Sequence, residues 1–113
     1  MGQCYRNPIT KNDKMELPRD LFLGFVKLHI LYHAGCEPVY GLWLIEELGR
    51  HGYRLSPGTL YPILHGLKKE NLLSVETRVV AGKARKYYQL TPKGRAALKE
   101  GRNKAQELLD EIK

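Results

Sequence analysis

Residues 56–92 read SPGTLYPILHGLKKENLLSVETRVVAGKARKYYQLTP, and two different periods meet inside this stretch. Ser56 and Pro57 suit a helix N-cap and first helical position, and Leu60, Ile63, Leu64 and Leu67 follow at the i, i+3, i+4, i+7 spacing of one buried face. A short amphipathic helix is expected there. From Val75 the period drops to two: Val75, Thr77 and Val79 alternate with polar residues, Ala81-Gly82 punctuates, and Arg85 to Leu90 returns as a second strand-like run carrying Tyr87 and Tyr88. This half reads as a hairpin with Lys83, Arg85 and Lys86 near its turn.

A helix followed directly by a two-stranded hairpin with a basic tip describes a winged helix, in which the helix enters a DNA major groove and the wing presses on phosphates. With Leu60, Ile63, Leu64 and Leu67 turned inward, the outer face keeps Ser56, Thr59, Tyr61, Pro62, His65, Lys68 and Lys69. Thr59 and Tyr61, near the N-terminus, suit base edges or thymine methyls, and Lys68 and Lys69 suit phosphates. Tyr61 also suits packing against the wing, since a tyrosine can bury its ring and still expose its hydroxyl.

The same residues carry a resemblance. Gly58-Thr59-Leu60-Tyr61-Pro62 with Leu64 and Leu67, the Lys69-Glu70-Asn71-Leu72-Leu73 turn, and Arg85-Lys86-Tyr87-Tyr88-Gln89-Leu90-Thr91 followed by Gly94 resemble the PadR-type transcriptional regulators. With Tyr40-Gly41 upstream and a helical tail, the likeness covers nearly all but the first twenty or so residues. It implies a dimer of the short form, with a single C-terminal helix, and a tyrosine at the position of Tyr40 facing the DNA backbone.

Charge agrees with a polyanion partner. The chain carries a formal +7, and residues 56–90 alone hold six Lys and Arg against two Asp and Glu. Residues 1–16 show no sustained period and read as a mobile N-terminal arm. No signal peptide is expected from the polar start, no apolar run reaches the length of a membrane span, and two cysteines, Cys4 and Cys36, make no disulfide framework, although a single disulfide between them stays open. A cytoplasmic protein with no membrane partner is expected.

From Pro18 to Gly35 a helix is expected that is apolar almost all round, needing cover on more than one side. Gly41, Leu44, Ile45 and Leu48 predict the next helix over residues 40–50. Trp43 lies off that stripe and suits either partial burial against its neighbours or an interface or effector pocket. Thr91 as N-cap and Pro92 open the tail helix, whose Leu98, Gly101, Ala105, Leu108 and Ile112 follow a 3-4-3-4 spacing. Leu21, Phe25, Leu28, Leu98, Ala105, Leu108 and Ile112 are therefore the expected dimer interface.

The fold class expected is mainly α with a small β-hairpin (α+β): a DNA-binding winged helix-turn-helix over residues 17–91 and a dimerisation helix over 92–113. No catalytic motif is present, so an enzyme is not expected. No cofactor is expected either. The only metal-donor cluster, His29, His33 and Cys36, lacks a fourth ligand and reads as structural. The function expected is a sequence-specific repressor that binds a (pseudo)palindromic promoter site on double-stranded DNA as a homodimer. Two other uses stay open, a protein-interaction module and a ligand or metal sensor with secondary DNA binding. An effector has no identity at this stage, and an aromatic pocket for one would draw on Phe22, Phe25, Tyr32 or Trp43, because residues 93–113 contain no aromatic side chain.

Overall fold

The computed structural model describes residues 17–112. The arm read over residues 1–16, and Cys4 with it, lies outside the described residues. Four helices and one hairpin follow in the order α1 (Arg19–Cys36), α2 (Gly41–Arg50), α3 (Pro57–Lys69), β1 (Leu73–Val80), β2 (Lys83–Leu90) and α4 (Pro92–Ile112). The winged helix-turn-helix and its C-terminal helix are thus present as expected. Among the described residues no helix is long and apolar enough to cross a membrane.

The core forms where the apolar stripes of the helices meet: Val26, Ile30 and Leu31 of α1, Leu44 and Leu48 of α2, and Leu60, Leu64 and Leu67 of α3 are all buried. The hairpin adds only its base, through Leu73, Tyr88 and Leu90, and Val79 and Val80 near its tip stay in solvent. Ala81 and Gly82 both take left-handed backbone angles, with φ of 53° and 79°, as a two-residue hairpin turn of right-handed twist requires. Pairing runs in register from Leu73 with Leu90 to Val80 with Lys83.

Two helices end in the same device. Gly52, with φ of 87°, follows α2, and the amides of Gly52 and Tyr53 return to the carbonyls of Gly49 and Leu48. Asn71, with φ of 65°, follows α3, and the amides of Asn71 and Leu72 return to Lys68 and Leu67. Both are Schellman closures, which satisfy the last helical carbonyls and reverse the chain sharply.

Two expectations change at this level. Helix α1 runs through Gly35 to Cys36; Gly35 does not stop it but makes room for Leu90, whose Cδ2 lies 2.9 Å from where a Cβ would stand. The stop comes at Glu37, held extended before Pro38. Ser56 takes the N-cap position of α3 but makes no side-chain cap, its Oγ reaching Thr59 Oγ1 at 3.4 Å instead. Leu28 and Leu98, expected at a dimer interface, also make contacts within the chain: Leu28 fits against Gly101 of α4, and Leu98 packs on the core.

The junction between wing and α4 is tight. Thr91 Oγ1 accepts a hydrogen bond from the Gly94 amide at 2.9 Å and donates to the Asn71 carbonyl at 2.6 Å, so one hydroxyl caps α4 and ties it to the turn after α3. Gly94 lies directly against the Leu72 carbonyl, where a Cβ would collide with backbone that cannot swing away. Gly94→Ala should therefore destabilise the fold by about 1–3 kcal/mol. Gly66→Ala, at a helical glycine with open space around it, should be neutral or stabilising by up to about 1 kcal/mol, and urea denaturation of both variants measures the contrast.

Candidate nucleic-acid interface

The face that gathers the basic and aromatic side chains is built by the N-terminus of α2, the outer side of α3 and the base of the wing. Its frame is a two-bond bridge between the segment before α2 and β2: the Val39 amide donates to the Tyr88 carbonyl at 2.9 Å and the Tyr88 amide to Val39 at 2.6 Å. Tyr40, the next residue, is thereby carried onto the wing. Its ring meets Tyr87 edge-on at 5.4 Å, and the Arg85 guanidinium lies 4.2 Å from its centroid. On the other side Arg78 stacks over Tyr87 at 4.6 Å. Two cations and two aromatic rings thus run along one side of the hairpin.

Tyr61 projects from the first turns of α3 toward α2, and its hydroxyl end lies over Gly41 in space that a Cβ would fill. The ring remains about half exposed, with its hydroxyl end packed on the N-terminus of α2. Tyr40, Gly41, Tyr61, Arg85, Lys86 and Tyr88 border a cleft of about 390 Å³. Burial, and next the neighbouring Tyr61, push the Tyr88 hydroxyl above the ordinary tyrosine range, so it stays neutral. Helix α2 has no side-chain cap at Tyr40, and its first residues, Gly41 and Leu42, border this cleft together with Arg85 and Lys86.

The remaining candidates divide by position. His65, Lys68 and Lys69 are exposed on α3, and Ser56 is exposed at its start with Thr59 half-buried. Lys83 and Lys86 are exposed on the wing. Arg85 is not a free tip residue, because it is folded back over Tyr40. Pro62 departs from the set: it borders a groove shared with Leu23 and Lys27 of α1, away from the Tyr61 side. Trp43 is partly buried on the core, its ring edge-on to His33 at 5.4 Å.

Residues 30–100 match the Transcriptional regulator PadR-like family. The chain belongs to that family. It is 58% identical over 94 residues to the transcriptional regulator Rv3488 of Mycobacterium tuberculosis, spanning 83% of this chain and 88% of that one. Among solved structures it is similar to a PadR-like transcriptional regulator from Bacillus cereus, with a TM-score of 0.75 at 32% identity over 82% of this chain and 92% of that chain. A PadR family transcriptional regulator from Eggerthella lenta gives a TM-score of 0.74 at 32% identity, over 83% of each. PadR membership makes the chain a DNA-binding transcriptional regulator and not an enzyme.

Sequence reasoning missed Arg78, which sits mid-strand and gains its place only through the cross-strand stack on Tyr87. It also joined the wrong partners to the histidine pair. The sulfur of Cys36 is engaged in a disulfide, so Cys36 is no thiolate ligand, and the residues that approach His33 are Glu47 and His51. The i, i+4 spacing of Glu47 and His51 was the available signal.

The fit of Tyr61 over Gly41 has a measurable signature. Gly41→Ala should cost about 1 kcal/mol by evicting the Tyr61 ring, and the penalty should fall toward zero in a Tyr61→Ala background. A double-mutant cycle by thermal unfolding gives the coupling.

Proposed function

We propose that this PadR-family regulator is a homodimeric repressor that reads a (pseudo)palindromic promoter site, one half-site per protomer. The observation that carries the reading is the common frame of α3 and the wing: exposed His65, Lys68 and Lys69 on the helix, and Lys83 and Lys86 on the hairpin, flank the Tyr40–Tyr61 cleft. In this reading residues 17–91 bind DNA and residues 92–113 pair the protomers. Backbone phosphates bind Lys68, Lys69, Lys83 and Lys86, and one phosphate takes the amide end of α2 beside Arg85. Thr59 and Tyr61 contribute the choice of sequence.

Pairing is supported by unspent apolar surface. Leu21 and Phe25 on α1 and Leu108, Leu109 and Ile112 on α4 are large hydrophobics with about half of their surface exposed, and burying the rest of each is worth on the order of 1 kcal/mol. A two-fold dimer brings two copies of α3 to successive half-sites.

Fluorescence anisotropy on a duplex from the chain's own upstream promoter, against a scrambled duplex over a salt series, tests the DNA reading. Promoter preference with a steep salt slope is expected. Lys83→Ala and Lys86→Ala should weaken binding to both duplexes and lower the slope by roughly one each, whereas Tyr61→Ala should erode mainly the preference. An absence of salt-sensitive binding would favour the protein-interaction module. For the dimer, Leu108→Glu with Ile112→Glu should shift sedimentation to the monomer and cut operator affinity; an unchanged sedimentation coefficient refutes this interface.

A further inference from the structure

On the opposite end of α2 from the DNA face, three side chains from two helices converge. His33 of α1 and Glu47 of α2 are 1% and 2% exposed, and His51, at the α2 C-cap, is 18% exposed. One donor atom from each lies within 4.8 Å of the other two. We propose that His33, Glu47 and His51 form a binding site for a divalent transition-metal ion of the zinc type, clamping α1 to α2.

The distances suit ligands that share an ion. His33 Nε2 stands 3.9 Å and His51 Nε2 3.5 Å from Glu47 Oε2, whereas charge-assisted hydrogen bonds close to about 2.7–2.9 Å. Two donors each about 2.1 Å from a tetrahedral zinc are separated by roughly 3.4 Å, so small side-chain movements complete the geometry. Two imidazoles and one carboxylate form a set that suits Zn²⁺, Co²⁺, Ni²⁺ or Cu²⁺ over the all-oxygen preference of Mg²⁺.

Neighbours hold the ligands in place. Arg50 Nε sits 3.8 Å from Glu47 Oε1, leaving Oε2 as the oxygen that faces both histidines. The Schellman closure at Gly52 fixes His51 at the end of α2. His29 stacks beside His51 at 5.1 Å and donates from Nδ1 to the Phe25 carbonyl at 3.0 Å, so its ring is oriented at the edge of the cluster. A cleft of about 320 Å³ between α1 and α4, bordered by Phe25, Tyr32 and Ala105, opens onto His33 and His51 and supplies both an entry path and room for a water at a fourth position.

The test uses the full chain after chelator treatment and dialysis. Titration with Zn²⁺ by calorimetry should give one equivalent per chain and raise the melting temperature, Co²⁺ should give the visible absorption of a tetrahedral nitrogen and oxygen site, and Mg²⁺ should do neither. Glu47→Gln keeps the buried volume and His51→Ala removes a partly exposed ring. Each should weaken Zn²⁺ binding by roughly 100-fold or more while the metal-free chain melts as a folded protein. Lys68→Ala should bind as the parent does. Failure of the parent chain to bind Zn²⁺, an equal response to Mg²⁺, or undiminished binding in both site variants would overturn the assignment. If one variant does not fold, the other decides the matter alone.

Discussion

The two hydrogen bonds between Val39 and Tyr88 fix the geometry on which the basic and aromatic face depends. They add a third, one-residue strand to the hairpin, and they do so at the residue pair immediately before α2. A wing joined to the body only through its own base would swing about Leu73 and Leu90. Tied at Val39, it moves with α2, and α2 moves with α3 because Leu44, Leu48, Leu60 and Leu64 share one core. The stack of Tyr40 on Tyr87 and Arg85, and the seat of Tyr61 over Gly41, follow from that constraint because Tyr40 and Gly41 directly follow the bridge.

Small residues mark where backbones come close, and this is the layer of the fold that a single sequence hides best. The apolar stripes of α2 and α3 were legible because helical period and core direction are local properties. The hairpin was legible for the same reason, through alternation and a turn at Ala81-Gly82. By contrast, Gly35 reads as a helix stop and Gly101 as a weak point in a seam, yet each accommodates a leucine from a distant segment, Leu90 and Leu28 respectively. The same blindness hid the contacts that Leu28 and Leu98 make within the chain. Nothing in a 3-4-3-4 spacing tells whether its partner is the chain's own helix or a second copy. The cluster around His33 was hidden for the same reason: His29 and His33 are neighbours by helical period, but Glu47 and His51 reach His33 only through the packing of α1 on α2.

Electrostatics and packing are separated in space. The lysines of α3 and the wing project from surfaces with little buried apolar area, where charge is screened by salt and acts on affinity and encounter more than on stability. The outer parts of α1 and α4 do the reverse. Their exposed leucines, isoleucine and phenylalanine lie on a different part of the molecule from the wing, so pairing through them leaves the basic face open. Salt should therefore act on the two associations with opposite sign, weakening contact with phosphate and sparing or strengthening contact between apolar faces.

Helix α2 links the two regions. Its N-terminal Gly41 supports Tyr61 on the DNA side, and its C-terminal Glu47, with His51 at the cap, faces α1. Ten residues of helix span about 15 Å and behave as a rigid rod, with Leu44 and Leu48 anchoring the middle. An ion that drew His33, Glu47 and His51 together would pull on the C-terminal end of that rod, and with the middle held by the core the displacement would reach Gly41 as a tilt. Tyr61 sits against Gly41 with no slack for a Cβ, so even a small tilt would change how its ring sits in the proposed DNA interface. Such a coupling would be reciprocal: DNA that favoured one seat for Tyr61 would alter the affinity of the far end for the ion by the same factor.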